Sequence, residues 1–80
     1  MSLERDIIAK LLVKRRRASE KFLINSVLLK TAKKGKINGY RNNVYNLIKQ
    51  MEERGEISKK LTGISSMYFP SNRMIRKIEN

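Results

Sequence analysis

Apolar residues recur at helical spacing in three segments of this 80-residue chain. The periodicity predicts helices over residues 3 to 16, about 26 to 34 and about 40 to 54. Gly35 and Gly55, which adopt positive φ without strain, are expected to terminate the second and third of these helices. The third helix is the best defined, because its apolar residues follow one another at intervals of three and four: Val44, Leu47, Ile48 and Met51.

Two other segments have the pattern of strands. The short apolar run 22–24 is predicted to be a brief strand or an extended lead-in to the second helix. Alternating residues on either side of a turn predict a β-hairpin over roughly 56–69. Ser71 is expected to cap a short final helix of about 71–79. Together these elements predict an α+β fold, mainly helical, in one domain spanning 1–80.

The charge of the chain changes what this fold is expected to bind. Lysine and arginine number 19 against 7 acidic residues, which gives a net charge of +12 at pH 7. A charge of this sign predicts nucleic acid or an anionic membrane surface as the partner. A membrane is the weaker alternative, because neither strongly basic helix end carries a broad exposed apolar face. The longest apolar run, Val27–Leu29, is also far shorter than the ~20 residues of a membrane span. We therefore expect no membrane partner.

The residue types that are absent from the sequence exclude several kinds of catalytic and metal-binding site. The chain contains no cysteine and no histidine, so it offers no disulfide, no thiolate nucleophile and neither of the commonest zinc ligands. Its carboxylates lack the spacing of a metal site or an acid–base pair, and no glycine-rich phosphate loop is present. We expect a protein that is not an enzyme and that uses no cofactor, metal ion or small-molecule substrate. The amino-terminal residues lack a signal-peptide pattern, so an intracellular, cytoplasmic location is expected.

The most informative stretch is 44–57, where the third helix leads into the hairpin. Met51 is expected to hold the helix on the core, Gly55 to reverse the chain, and Ile57 to fill the core where the hairpin begins. The element order is helix, short strand, helix, turn, helix, hairpin. With this order, the chain over about 3–70 resembles the winged helix-turn-helix DNA-binding proteins, which include small prokaryotic, archaeal and viral transcription regulators.

The resemblance implies a fold of three helices followed by a β-hairpin, the wing. It also implies a sequence-specific double-stranded DNA-binding protein, a regulator of transcription. Its recognition helix, about 40–54, is expected in the major groove, and its wing, about 56–69, on the DNA backbone or in a minor groove. Many such regulators bind palindromic sites as two-fold dimers, so a homodimer is expected.

The outward face of the third helix is where sequence readout is expected. With its apolar residues inward, the opposite face holds Asn42, Asn46, Lys49 and Glu53. Asparagine is up to ~0.7 kcal/mol less favourable in a helix than alanine, so three asparagines within 42–46 favour a role beyond folding. Amides pair with adenine edges, and basic side chains with guanine. The resemblance implies base contacts by Arg41, Asn42, Tyr45, Asn46 and Lys49. The alternative is a solvated polar face.

Side chains around this helix are expected to contact phosphate and sugar. The expected backbone contacts are Lys30, Lys33, Lys34, Lys36, Lys59, Lys60, Thr62 and Ser65. An extension of this footprint would add Arg15, Arg16 and Arg17. For the arginines the alternative is a helix carboxyl end stabilised by cations, and for the hairpin lysines it is protection of an exposed sheet edge.

Two other functions are compatible with a small basic domain. An RNA-binding or ribonucleoprotein component would use the same basic surface, although A-form RNA hides its major groove from side chains. A protein-interaction winged helix in a transcription or replication assembly would be expected to expose an apolar patch in place of this charge. The abundance of isoleucine, lysine and asparagine is typical of AT-rich coding, which makes a virus or a plasmid a candidate origin.

Overall fold

The computed structural model describes residues 3–31 and 39–79. This part of the chain is a small α+β domain, mainly helical, in which four helices accompany a three-stranded antiparallel sheet. The elements in chain order are α1 (Leu3–Arg15), β1 (Ala18–Ser19), α2 (Glu20–Thr31), α3 (Tyr40–Glu53), β2 (Ile57–Thr62), β3 (Ser65–Pro70) and α4 (Asn72–Glu79). The predicted first and third helices, the hairpin and the final helix are confirmed. The predicted helix end at Gly35 lies outside the described residues.

The start of α2 differs from the prediction. The strand or extended segment expected at 22–24 is wrong, because these residues lie in the first turns of a helix that begins at Glu20 and not near residue 26. Ser19 caps this helix: the backbone N–H of Phe22 donates to Ser19 Oγ at 3.1 Å, which satisfies one of the free donors of the first turn. The apolar run continues at a helical interval, so that α2 buries Leu23, Ile24, Val27 and Leu28.

The short strand exists, but it immediately precedes α2. The sheet order is β1-β3-β2, so β3 is the central strand and pairs with both neighbours. Ala18 and Lys59 lie on either side of Tyr68 in one row across the sheet. Directly paired residues share a face of an antiparallel sheet. Buried Ala18 and Tyr68 therefore define the face of the sheet that points to the core.

The core lies between α1, α2, α3 and this face of the sheet. Its fully buried large side chains are Tyr68, Ile8, Leu12, Leu23, Ile48, Met51, Val27 and Val44. The final helix, α4, packs against α1 of the same chain and buries Met74. Ser71 caps α4 as predicted, because its Oγ accepts the backbone N–H of Met74 at 3.1 Å. No helix within residues 3–31 and 39–79 is long and apolar enough to cross a membrane.

The junction between α3 and the hairpin is closed by a glycine. Gly55 has φ 76°, and its N–H donates to the carbonyl of Glu52 at 3.0 Å. The N–H of Glu56 donates to the carbonyl of Met51 at 3.0 Å. This pair of bonds is a Schellman motif, which satisfies the last carbonyls of a helix and requires a left-handed residue. It turns the chain so that Ile57 enters the core as β2 begins.

We expect Gly55→Ala to destabilise the protein by about 1–2 kcal/mol, because an L-residue at positive φ is strained. A methyl group there would meet no atom within 4 Å, so the cost comes from the backbone alone. Gly39→Ala is the matched control: Gly39 has φ −105° and equally open surroundings, so its variant escapes the strain of positive φ and should be destabilised less than Gly55→Ala. Urea denaturation measures the free energy of unfolding of both variants, which are compared at the same m value. Equal effects of the two substitutions would contradict this account of the turn.

Candidate nucleic-acid interface

A stripe of polar side chains runs along the outer surface of α3. Val44, Ile48 and Met51 are buried, as their spacing predicts. Since a helix turns by 100° per residue, the opposite side carries Asn42 and Asn46, both exposed. Lys49 continues this stripe one turn further and is half-buried. The stripe therefore offers two amides and an ammonium group in line along the helix.

Tyr40 fixes the beginning of α3 against α1 and α2. Its ring is buried, as expected for a residue that points back to the core. Its hydroxyl donates to Glu4 Oε2 at 2.8 Å and lies 3.3 Å from Thr31 Oγ1. Burial is the main reason that the pKa of Tyr40 is raised, with the adjacent Glu4 carboxylate acting in the same direction. These contacts set the direction in which the polar stripe is presented.

Arg41 is exposed but has a partner within the chain. Its Nη1 donates to Asn25 Oδ1 on α2 at 2.9 Å. Asn25 lies inside α2 and faces α3, a position that the sequence analysis did not identify. The base contact predicted for Arg41 would require this hydrogen bond to be broken.

Lys49 has neighbours that hold its ammonium group in place. Its Nζ lies 5.6 Å from the centroid of the Tyr45 ring and 3.6 Å from Glu52 Oε1. The side chain of Lys59, on β2, lies near that of Lys49. Tyr45, which is itself a predicted base contact, is half-buried, and its ring lies against Lys49. Lys49 and Lys59 thus bring two positive charges together where α3 meets the hairpin.

Strand alternation separates the two lysines that the sequence prediction treated alike. Lys59 pairs with Tyr68 and shares the face of the sheet that points to α3, whereas Lys60 pairs with Met67 on the outer face. Both side chains are exposed. Only Lys59 converges with Lys49. Thr62 and Ser65 pair with each other at the far end of the hairpin and are exposed there.

The three arginines after α1 have different surroundings. The guanidinium of Arg15 lies 4.4 Å from the centroid of the Phe22 ring, a cation–π contact. Arg16 adopts φ 69°, which ends the helix, and its Nη2 lies 2.8 Å from Glu79 Oε2 on α4. Arg17 is exposed. Arg15 and Arg16 therefore tie α1 to its neighbours, which favours the helix-end interpretation of this cluster.

The remaining predicted backbone contacts lie around the end of α2. Lys30 is exposed in its last turn. The predicted contacts Lys33, Lys34 and Lys36 fall outside the described residues. Within the described part of the chain, no group of three acidic, cysteine or histidine side chains is placed to hold a metal ion.

The tip of the hairpin carries a feature that the sequence prediction missed. Ile57 and Leu61 are four positions apart on β2 and therefore share a face of the strand, but Ile57 is buried while Leu61 is 69% exposed. Ile64, in the turn, is 105% exposed. The hairpin extends past the core at this end, a length that the apolar pattern of β2 does not reveal.

Comparison of the chain with protein-family models, curated proteins and solved structures finds no match. Its function is therefore inferred from its own residues and geometry.

Tyr68 lies beneath the Lys49–Lys59 pair and is fully buried. Its hydroxyl donates to Glu20 Oε1 at 3.3 Å. Burial, assisted by the negative charge of Glu20, raises the pKa of Tyr68 to about 12. The unfolded chain has a tyrosine pKa near ~10. The folded state thus favours the protonated phenol, and the resulting stability is present below pH ~10 and lost as the pH rises toward ~12.

We expect the free energy of unfolding to fall by about 2 kcal/mol between pH ~10 and ~12 because of Tyr68. Tyr68→Phe removes this titration, so its stability should fall less steeply over the same interval. Urea denaturation of both proteins across this range measures the difference, and tyrosinate absorbance should lack the step near pH 12 in the variant. Parallel stability curves for the two proteins would contradict the assignment.

Proposed function

We propose that this chain is a sequence-specific double-stranded DNA-binding protein of the winged helix-turn-helix class, acting as a transcription regulator. In this proposal α3 is the recognition helix in the major groove and the β2–β3 hairpin is the wing. The element order α1-β1-α2-α3-β2-β3, with β1 pairing to the hairpin, supports the class. The observation that carries the function is the exposed Asn42–Asn46 stripe beside the converging lysines Lys49 and Lys59.

Charge and readout are assigned to different side chains. The net charge of +12 favours binding to any polyanion, and it carries no sequence information. The amides of Asn42 and Asn46 each offer a donor and an acceptor, the pair needed for a bidentate contact with adenine. Since asparagine weakens a helix, its presence on this exposed face is better explained by recognition than by stability.

The paired lysines are proposed to bind the DNA backbone. The Glu52 carboxylate lies 3.6 Å from the Lys49 ammonium group, so the two lysines and this glutamate together carry one excess positive charge. A phosphate beside the two lysines would be attracted by that excess charge. Lys49 comes from the recognition helix and Lys59 from the wing, so one phosphate contact would fix the position of both elements on the duplex. Such contacts set register and orientation, while base edges supply specificity.

We propose DNA and not RNA as the partner because the polar side chains lie on an α-helix, α3. An α-helix fits the major groove of B-form DNA, whereas the corresponding groove of A-form RNA is deep and narrow. We expect duplex DNA selected from a random pool to compete at least tenfold better than duplex RNA of the same sequence, measured by fluorescence anisotropy. Preferential binding of structured RNA would favour the alternative of a ribonucleoprotein component.

Asn46→Ala is expected to relax sequence preference at one base pair by about 1–3 kcal/mol. The variant should fold at least as stably as the parent, since alanine is the better helix former. Binding to the selected duplex and to single-base variants of it measures this change. If Asn46→Ala left the ranking of these duplexes unaltered, α3 would not be reading them through this residue.

Lys59→Ala is expected to weaken binding to all duplexes alike. If about six cations meet phosphates, log K falls against log salt with a slope near −5, and this variant should reduce the slope by about one. Lys60→Ala, which removes the same charge from the outer face of the neighbouring position, is the matched control and should alter the slope less. A salt-independent affinity in the parent protein would contradict the electrostatic account.

A further inference from the structure

The turn at the tip of the hairpin exposes one aliphatic side chain, that of Ile64. Thr62 and Ser65 pair across the hairpin, so Gly63 and Ile64 alone form the loop. Gly63 has φ 64° while Ile64 stays at negative φ, which is the geometry of a type II′ turn. Ile64 is 105% exposed at its outermost point, and Leu61 beside it is 69% exposed.

The geometry of the turn explains why residue 63 is glycine, but it does not explain why residue 64 is isoleucine. A type II′ turn needs glycine at its first central position and accepts small polar residues at the second. An isoleucine there makes no contribution to the core and leaves apolar surface in water. A fully exposed β-branched residue at a turn that does not require it is a side chain available to a partner.

Charge identifies the chemistry of that partner. Lys59 and Lys60 lie on the two faces of the strand that leads to the tip, so an anionic partner matches the charge of this part of the hairpin. In duplex DNA, phosphates lie at the surface and apolar surface lies between stacked bases. Side chains of Ile, Leu, Phe and Met reach that surface from the minor groove by wedging between base steps and kinking the duplex.

We propose that Ile64, supported by Leu61, inserts as a wedge between two base pairs from the minor groove and bends the DNA. This inference rests on the proposed function and adds a mode of recognition to it. Lys59 stands beside Lys49 of α3. The extended strand runs about 10 Å from Lys59 to its end at Thr62, and the turn at Gly63 and Ile64 lies beyond it. While Lys59 holds the backbone, the tip reaches past it toward the neighbouring groove.

The wedge also predicts a preference for certain base steps in the DNA, and this preference does not depend on hydrogen bonds to base edges. Pyrimidine–purine steps unstack more easily than others. A duplex with such a step under the tip should therefore be preferred, although Ile64 has no group that can hydrogen-bond to a base. This readout is independent of the Asn42–Asn46 stripe.

The test compares Ile64→Ser with the parent protein on the duplex selected by the parent. Serine suits the second position of the turn, so the hairpin should stay folded, and urea denaturation checks this. The parent should increase the fluorescence of 2-aminopurine placed at the wedge step and bring the duplex ends closer in energy-transfer measurements. Ile64→Ser should lose both signals and bind about tenfold more weakly with an unchanged salt slope. Leu3→Ser, which alters an aliphatic residue 60% exposed on α1, should keep both signals.

Three outcomes would overturn the wedge. If the parent binds the duplex without unstacking or bending it, the wedge fails while the proposed function stands. If Ile64→Ser lowers the sedimentation mass, the tip is a protein contact. If anionic phosphatidylglycerol vesicles bind the parent but not Ile64→Ser, and the duplex stays straight, the tip is a membrane contact. Absence of any duplex binding by the parent is a separate result, which removes the proposed function itself.

Discussion

The burial of Tyr68 at the centre of the sheet is the constraint on which the other features depend. Its strand pairs with β1 on one side and β2 on the other, and its hydroxyl reaches Glu20 at the start of α2. A buried phenol needs a hydrogen-bond partner, so this one contact fixes the sheet against α2. Because side chains alternate along a strand, the position of Tyr68 then decides that Lys59 faces α3 and Lys60 does not.

The proposed interface follows from joining this sheet to α3. The Schellman motif at Gly55 fixes the angle between α3 and β2, and Tyr40 fixes the other end of α3 against α1 and α2. These contacts at both ends of α3 determine where the helix backbone places the amide stripe relative to Lys59. In the proposed interface such placement matters, because a backbone that is already ordered loses little conformational freedom on binding.

The sequence was sufficient for the parts of the fold that depend on local pattern. The periodicity of Val44, Leu47, Ile48 and Met51 defined α3, and Ser71 marked the start of α4. It was insufficient for β1, because a segment of two residues is too short to show an alternating pattern. These two residues form a strand only because they pair with β3. The same lack of local signal hid the Arg41–Asn25 contact, in which the two side chains are 16 residues apart. Exposure at the hairpin tip was hidden too, because it depends on how far the strands extend past the core.

Two kinds of residue in this domain oppose its own stability, and they lie at the places proposed to meet DNA. The asparagines of α3 weaken a helix that is otherwise well defined by its apolar residues, and Ile64 exposes an aliphatic side chain where a polar one would serve the turn. Several other local choices agree with the fold: Ser19 and Ser71 cap helices, and Gly55 closes α3. Residues that conflict with local preference are expected at functional or strained sites. On this ground we propose that the stripe and the tip belong to one binding surface.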